Sequence, residues 1–427
     1  MMSFVRNWLG PKTNPIGVDF GSDSLKLAQV ANVKGEWRLI AAASADVPSH
    51  VRHDASARME FLANTTRELL VQGGFSGRTA MLALPAASMF IQHLRLPKMD
   101  EEAIRRTLPW EARGKLPIDP SRALLRHHIA GEVYVEQEPK NEVILMAAGR
   151  ELVDQFLATA SRARLDVVGM NVEPKAIIDC FGHVYRRKTD LEMTTCFVDL
   201  GSGGSRAIVA RAGHMLFARC IPIGGEHLTQ AVARAMDMKY EDAKLLRMRL
   251  CSAQGAARPA NEPAPAPPPP GEGLAILNAS LAASSAARTY QDAGGGPATA
   301  LASSPAAAPT QDELSAQMAQ VQQACREPLN KLVEELNLCR RYFEATFGGQ
   351  AVERLVFVGG EAKHRWLCQH IAREMGLAAQ VGDPLARMGR VSDVGMESGI
   401  DRRQPQPNWS VAIGLSLGPA PAYETSH

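Results

Sequence analysis

Five residues near the start of the chain have the types and spacing needed to hold a phosphate and a divalent cation: Asp19, Gly21, Ser22, Ser24 and Lys26. The apolar segment Ile16–Asp19 predicts a strand that carries Asp19 to the end of a sheet, where ligands bind in α/β folds. Gly21 allows a turn whose backbone N–H groups face an anion, and the hydroxyls and the Lys26 ammonium add donors. A carboxylate is suited to the waters around Mg²⁺. A plain β-hairpin is the alternative interpretation.

A second group repeats this pattern about 180 residues later, after the apolar segment Thr195–Asp199: Asp199, Gly201, Ser202 and Gly203. Two such turns from different halves of a molecule can enclose the β- and γ-phosphates of a nucleotide, with Asp19 and Asp199 flanking one metal ion. Neither turn is a Walker A loop, because no Gly-Lys-Ser/Thr follows. The pair therefore predicts a phosphate site more strongly than either turn alone.

A third glycine turn follows the apolar segment Leu355–Val358 and contains Gly359 and Gly360. Two glycines after a strand allow the backbone to approach a flat purine or a ribose closely. Any strand-to-helix turn can use such a pair, so this motif is weak evidence by itself. Its position after two phosphate turns favours an adenosine-binding role.

Strands and helices of a mixed α/β protein must position these turns. The predicted strands are Ile16–Asp19, Leu25–Val30, Thr79–Leu84, Phe90–Leu94, Val143–Ala148, Leu165–Val172, Thr195–Asp199, Arg206–Arg211, Met215–Ile221 and Leu355–Val358. The predicted helices are Met59–Gln72, a helix capped by Asp100, Arg150–Arg164, Glu226–Met236, Tyr240–Leu250 and Leu314–Thr346. A hairpin opened by Asp-x-Gly-Ser occurs twice, which indicates a weak internal duplication.

Composition excludes several classes of protein. A chain of 427 residues is too long for one ordinary core. A formal net charge of +2, without a basic stripe, argues against a protein that binds nucleic acid. Seven scattered cysteines are typical of reduced thiols in the cytoplasm. The Ala/Pro/Gly-rich segment Ser252–Thr310 cannot bury enough apolar surface to fold, so we expect a disordered insertion.

The order of the three turns is similar to that of the actin-like ATPases, and the chain resembles more closely the PilM family of type IV pilus assembly proteins. The most distinctive stretch is Arg219–Ala235, RCIPIGGEHLTQAVARA, followed by Tyr240-Glu241-Asp242-Ala243. Further similarity lies in Ile16–Val30, Leu96–Glu102 with Trp110-Glu111-Ala112, Leu116-Pro117-Ile118, Val172–Ala176 and Trp409–Leu417. The resemblance covers nearly the whole chain outside Ser252–Thr310.

The resemblance implies an α/β, actin-like (ribonuclease H-like), two-lobed fold with duplicated sheet subdomains. The first lobe would comprise 1–78 and 169–194, with a small α+β insert domain over 79–168. The second lobe would comprise 195–251 and 313–395, interrupted by the insertion 252–312. Residues 396–427 would return to the first lobe as a C-terminal helix.

The resemblance also implies ATP and Mg²⁺ in the cleft. Gly224, Gly225, Gly359, Gly360 and Glu361 would complete the nucleotide site, and Glu173 would be the candidate to orient an attacking water. Family members bind the cytoplasmic N-terminal peptide of an inner-membrane pilus protein and connect it to the assembly motor ATPases. The chain would then lie on the cytoplasmic face of the inner membrane through its partners, and a homo-oligomer would be compatible with this arrangement.

Two residues depart from the family pattern. Asp23 places a negative charge inside the first phosphate turn, and Glu361 stands where a third glycine is common. Asp23 would repel phosphate unless it points elsewhere, and Glu361 would either crowd the base or contact the ribose. These departures keep open a structural adaptor with a decayed nucleotide site, as in type II secretion proteins of this fold. A small-molecule kinase and a filament-forming division protein are weaker alternatives.

Overall fold

The computed structural model describes residues 13–85, 88–256, 311–390 and 399–418. Met1–Pro11 and most of the predicted insertion Ser252–Thr310 lie outside the described residues. The preceding helix continues to Ala256, so the predicted start of the insertion at Ser252 was too early.

The strands are Ile16–Phe20 (β1), Ser24–Val33 (β2), Glu36–Asp46 (β3), Thr79–Leu84 (β4), Phe90–Pro97 (β5), Ala123–Val135 (β6), Glu138–Gly149 (β7), Asp166–Val172 (β8), Thr195–Leu200 (β9), Ser205–Arg211 (β10), His214–Ile221 (β11), Arg354–Val358 (β12), Ala378–Val381 (β13) and Gly389–Arg390 (β14). The helices are Ser49–Arg52 (α1), Ala55–Gln72 (α2), Glu101–Glu111 (α3), Arg150–Arg162 (α4), Glu173–Phe181 (α5), Lys188–Glu192 (α6), Gly225–Ala235 (α7), Tyr240–Ala256 (α8), Gln311–Ala324 (α9), Arg326–Thr346 (α10), Arg365–Met375 (α11) and Ser410–Leu417 (α12).

The predicted duplication is visible in the sheets of the two lobes. The first lobe has the strand order β14-β3-β2-β1-β4-β8, and the second has β11-β10-β9-β12-β13. In each lobe an antiparallel meander of three strands is joined by two parallel strands. An aspartate is the penultimate residue of the first strand of each meander, just before the predicted phosphate turn, so the duplication places Asp19 and Asp199 at equivalent positions.

The insert domain is smaller than the predicted range 79–168. A separate three-stranded sheet, in the order β5-β7-β6, is packed against α3. The strands at the two ends of the predicted range, β4 and β8, instead pair with each other in the sheet of the first lobe. Parallel pairing places β4 between β1 and β8, so both strands belong to the main sheet.

The prediction missed four strands, β3, β6, β13 and β14, and one helix break. The sequence of β3 is rich in alanine, which has little strand propensity, and its place is decided by long antiparallel pairing with β2. The strand β6 contains two histidines and a glycine, which obscure its alternating pattern. The predicted helix Leu314–Thr346 is divided at Cys325 into α9 and α10.

The C-terminal helix α12 packs closely against β1 and α5. A Cβ on Gly17 of β1 would lie 2.0 Å from the carbonyl oxygen of Ala412, and one on Gly414 would lie 1.9 Å from that of Ala176 in α5. The Ser416 hydroxyl donates to Pro15 O at 2.7 Å and accepts from Val30 N at 3.0 Å. The end of the described chain is therefore packed against the first sheet, and a buried core continues from there into the second.

All seven cysteines are free. Across the described ranges, no helix is both long enough and apolar enough to span a bilayer.

Candidate functional site

A cleft between the lobes brings together nearly all of the predicted site residues. It is lined by Asp19, Gly21, Ser22, Ser24, Lys26, Glu173, Asp199, Gly201, Ser202, Gly203, Gly359, Gly360 and Glu361. Its volume is about 120 Å³, whereas small-molecule sites usually measure about 300–1,000 Å³. A nucleotide would therefore need the lobes to move apart.

Helix α2 holds the backbone of the first turn through the side chain of Arg58. Arg58 of α2 donates to the carbonyl oxygens of Phe20 and Gly21 at 3.2 and 3.0 Å. A Cβ on Gly21 would lie 2.8 Å from the carbonyl oxygen of Ser24, so the tight turn requires glycine there. These contacts fix the backbone between β1 and β2.

Asp19 and Lys26 are cross-strand neighbours at the base of this turn. Both side chains are buried, and the Lys26 ammonium donates a hydrogen bond to the Ser24 hydroxyl. Burial raises the pKa of the Asp19 carboxyl, and the charge of Lys26 opposes this only in part. Lys26 thus supplies a positive charge that is hydrogen-bonded to a neutral group, as expected of a phosphate ligand.

The second turn has the same cross-strand arrangement, with Arg206 opposite Asp199. The Arg206 guanidinium donates to Asp199 Oδ2 and forms an ion pair with Glu173 Oε2 at 2.6 Å. Burial acts to lower the pKa of this guanidinium, but the two carboxylates raise it overall, so Arg206 is a permanent cation. The sequence analysis missed Arg206, although it follows Asp199 by the same seven positions that separate Lys26 from Asp19.

The predicted magnesium site does not fit this arrangement. Asp199, one of its two carboxylates, is already hydrogen-bonded to the Arg206 guanidinium. Arg206 also acts electrostatically on Asp19. No group of three or more His, Cys, Asp or Glu side chains within the described residues has a geometry that could hold a metal ion.

Glu173 lies at the first position of α5 and is buried, as the candidate for orienting a water would be. Its carboxylate, however, is paired with Arg206. A role in hydrolysis stays a prediction.

Gly224 and Gly225 do not line the cleft as predicted; they support the second turn from behind. The N–H groups of Gly225 and Glu226, at the start of α7, donate to the carbonyl oxygens of Gly201 and Ser202 at 3.0 and 2.9 Å. A Cβ on Gly224 would lie 2.5 Å from three backbone atoms of that turn. These N–H donors hold the turn and are not directed at a ligand.

The third turn packs directly on the second. Gly359 has a φ of +87°, and a Cβ there would lie 2.3 Å from Asp199 Oδ1. Gly360 faces open space and lines the cleft. This is the geometry expected of a backbone that approaches a ligand closely.

Glu361 forms an ion pair with Arg247 of α8, and its Oε2 lies 3.7 Å from His364 Nε2. Burial alone would raise the pKa of Glu361, but Arg247 and His364 outweigh it, so this pKa lies below its usual range. Glu361 is therefore a charged group that fastens the third turn to α8 at the edge of the cleft.

Asp23 lines the cleft beside the first turn and connects the lobes. It pairs with Arg52 of α1 at 2.6 Å and with Lys244 of α8 at 2.9 Å. Arg52 in turn lies 3.7 Å from Glu226 of α7. The negative charge within the first turn is thus neutralised by cations from both lobes.

The tips of the two turns meet across the cleft. A Cβ on Gly203 would lie 3.1 Å from the hydroxyl oxygen of Ser22. The lobes are consequently closed, with Lys26 and Arg206 on opposite walls of the cleft.

Comparisons with known proteins give a matching family model and a similar solved structure. The family model described as "Type IV pilus assembly protein PilM" matches residues 17–250. Among solved structures, the chain is similar to the "PilM-PilN type IV pilus biogenesis complex", with a TM-score of 0.67 and 18% identity, over 95% of this chain and 98% of that one.

Sequence comparison adds shorter matches to the cell division protein FtsA. The proteins of Bacillus subtilis (strain 168) and Rhizobium meliloti (strain 1021) are 23% and 27% identical over 109 and 115 residues. These matches cover 26% and 27% of this chain and 24% of each FtsA. The chain thus matches about a quarter of the length of these curated relatives.

Proposed function

The chain belongs to the type IV pilus assembly protein PilM family, whose model covers more than half of its length, and we propose that it is a nucleotide-binding scaffold of pilus assembly. In this proposal ATP binds between the two phosphate turns, and its presence changes how the lobes close. Hydrolysis, if it occurs, is slow and uses Glu173 to orient the attacking water.

One observation carries the nucleotide-binding part of this proposal: two glycine turns with the same backbone design face each other across one cleft, and each has a buried cation at its base. Lys26 lies on one wall and Arg206 on the other, so phosphates between them would be contacted from both sides. Gly360 leaves open space at the third turn, where a base or ribose would pack.

We expect ion pairs between the two lobes to couple ligand binding to the position of the lobes. Asp23–Lys244 and Arg52–Glu226 join the first lobe to the second. A nucleotide between the turns would separate Ser22 from Gly203 and lengthen these pairs. A ligand changes an equilibrium between closed and open lobes only by its different affinity for the two states.

For its partner, we propose the short cytoplasmic N-terminal peptide of an inner-membrane pilus protein. The solved relative contains PilM together with PilN, which supports a peptide or protein ligand of that kind. The chain would then be held at the cytoplasmic face of the inner membrane by its partner and would transmit the lobe position to the assembly motor ATPases. Self-association is compatible with this role.

Thermal unfolding in the presence of increasing ATP tests nucleotide binding. A ligand that binds only the folded protein stabilises it by about 2.7 kcal/mol at 100 times its dissociation constant. We expect the wild type to unfold at a higher temperature with millimolar ATP, and Lys26→Met to respond less. Lys188→Met, which removes an exposed lysine of α6, is the control that should respond like the wild type.

A nucleotide-independent adaptor is the second candidate function. It is favoured by the small volume of the cleft and by the ion pairs that already neutralise Asp23, Asp199 and Glu361. An unchanged unfolding temperature at millimolar ATP in all three proteins would exclude the nucleotide-gated scaffold and leave the adaptor.

A further inference from the structure

We propose that Arg206 is the resident cation of the cleft and takes the place of a divalent metal, so that the cleft binds a nucleotide without Mg²⁺. The claim about nucleotide binding rests on the proposed function. The claim about the metal concerns only Arg206 and the carboxylates around it, and it is testable without a nucleotide.

The backbone fixes the position of Arg206. It lies on β10, which is paired on one side with β9 and on the other with β11. Residues opposite each other in adjacent antiparallel strands project to the same face, so Arg206 and Asp199 emerge side by side. A Cβ on Gly201 would lie 3.3 Å from Arg206 Nη1, and the absence of a side chain at Gly201 therefore leaves room for the guanidinium.

Arg206 binds Asp199, one of the two carboxylates of the predicted metal site, together with the neighbouring Glu173. Its side chain is only 12% exposed, and those of Asp199 and Glu173, which it pairs with, are each 6% exposed. A planar guanidinium presents five donors in a fixed fork, so it can bridge two carboxylates and still direct donors elsewhere. Arg206 also lines the cleft, where a remaining donor would meet a phosphate oxygen.

Mg²⁺ needs near-octahedral oxygen coordination and reaches proteins through one or two carboxylates and water. Asp199 and Glu173 already direct oxygens to Arg206, and a divalent ion beside a guanidinium would be repelled by it. The guanidinium and the metal therefore compete for the same carboxylates.

The first experiment measures ATP binding to the full chain by calorimetry, in EDTA and in millimolar Mg²⁺. For the wild type we expect the same dissociation constant in both buffers, within about twofold. For Arg206→Ala, which frees the carboxylates and leaves space for an ion, we expect binding at least about tenfold tighter with Mg²⁺ than with EDTA. Arg206→Lys keeps a positive charge and should remain independent of Mg²⁺.

The second experiment uses Mn²⁺ alone, followed by its electron paramagnetic resonance signal. The wild type should bind no Mn²⁺ in the cleft, Arg206→Ala should gain one site, and Arg206→Ala/Asp199→Asn should lose it again. Circular dichroism checks that each variant is folded. If Arg206→Ala does not fold, the wild type and Arg206→Lys still decide the question.

Two results would overturn the inference. One is wild-type ATP affinity that rises about tenfold or more with Mg²⁺. The other is Mn²⁺ binding by the wild type that disappears in Asp199→Asn. If ATP binds in neither buffer, the proposed nucleotide function fails, and the Mn²⁺ experiment alone decides whether Arg206 stands in for a metal.

Discussion

The two phosphate turns have the same backbone and the same spacing, but their cations are used differently. Lys26, opposite Asp19, is hydrogen-bonded to the hydroxyl of Ser24. Arg206, opposite Asp199, is bound to two carboxylates. Because a hydroxyl competes weakly for a cation and a carboxylate strongly, Lys26 remains available to an incoming phosphate while much of Arg206 is committed to the protein.

This difference indicates separate roles for the two turns. The second turn is rigidly assembled: α7 supports it from behind, Gly359 packs on it, and Arg206 neutralises it. The first turn carries the buried Asp19, whose pKa is raised, and the cross-lobe pair of Asp23. We therefore regard the second turn as a fixed wall and the first as the side that responds to a ligand.

The largest expected difference between the two turns is the loss of stability when the cation of each turn is removed. Arg206→Met should lower the free energy of unfolding by about 3–5 kcal/mol, because it removes the cation of a buried ion pair and leaves the Asp199 carboxylate without it. Lys26→Met should cost less, about 1.5–3 kcal/mol, the contribution of a hydrogen bond that involves a charged group. Urea unfolding of the two variants at pH 7 measures both, and equal losses would contradict the different roles of the two cations.

For nucleotide affinity we expect the opposite order, with the larger loss caused by the substitution in the first turn. Lys26→Met removes a charge-assisted hydrogen bond worth about 1.5–3 kcal/mol. We expect its ATP dissociation constant to increase by about 10- to 150-fold. Calorimetry measures this change, and Lys188→Met should bind like the wild type. An unaffected Lys26→Met would place the phosphates elsewhere.

The two aspartates should differ in the sign of their effect. Asp199→Asn weakens a charged hydrogen bond to Arg206 and should destabilise the protein by about 1.5–3 kcal/mol. Asp19→Asn should instead stabilise it at pH 7, because a neutral amide replaces a carboxylate whose ionisation is opposed by burial.

The pH dependence of the Asp19 effect follows from linkage. The pKa of Asp19 is higher in the folded protein than the 3.8 of an unperturbed aspartate. The folded state therefore holds the proton more tightly, and this group's contribution to stability falls as pH rises from 3.8 through the raised pKa. We expect the advantage of Asp19→Asn to shrink as pH is lowered towards 4. An advantage that grows on acidification would show that the pKa is lowered.

The smallest effect concerns the link between the lobes. Asp23 and Lys244 are partly exposed, and such pairs contribute about 0.2–1 kcal/mol. A double-mutant cycle with Asp23→Asn and Lys244→Met should give a coupling energy in this range. A coupling of zero would mean that the pair does not hold the lobes together.

Much of the fold was predictable because apolar strands and glycine turns leave clear patterns. The strand Thr79–Leu84 was predicted with the observed bounds, and the helix cap at Asp100 is confirmed by its hydrogen bond from Ala103 N at 2.7 Å. The alanine-rich β3 and the interrupted β6 were missed because their residue patterns do not mark them as strands, and each is held by long antiparallel pairing with the adjacent strand of a hairpin. Of the predicted site residues, those of the three turns lie together in one cleft, whereas Gly224 and Gly225 lie behind the second turn; nucleotide binding by any of them stays a prediction.

The sequence by itself determined the order of the turns, the family and the duplicated Asp-x-Gly design, because these depend on residue types at fixed short spacings. Only the tertiary structure decided what the charges do. Asp23 is neutralised by Lys244, Glu361 by Arg247, and Glu173 by Arg206, and each pair joins segments that are far apart in the chain. Spacing along a chain gives the position of a charge, whereas its partner depends on which segments pack against it; for that reason the sequence predicted a metal at Asp199, and only the structure showed the Arg206 guanidinium there.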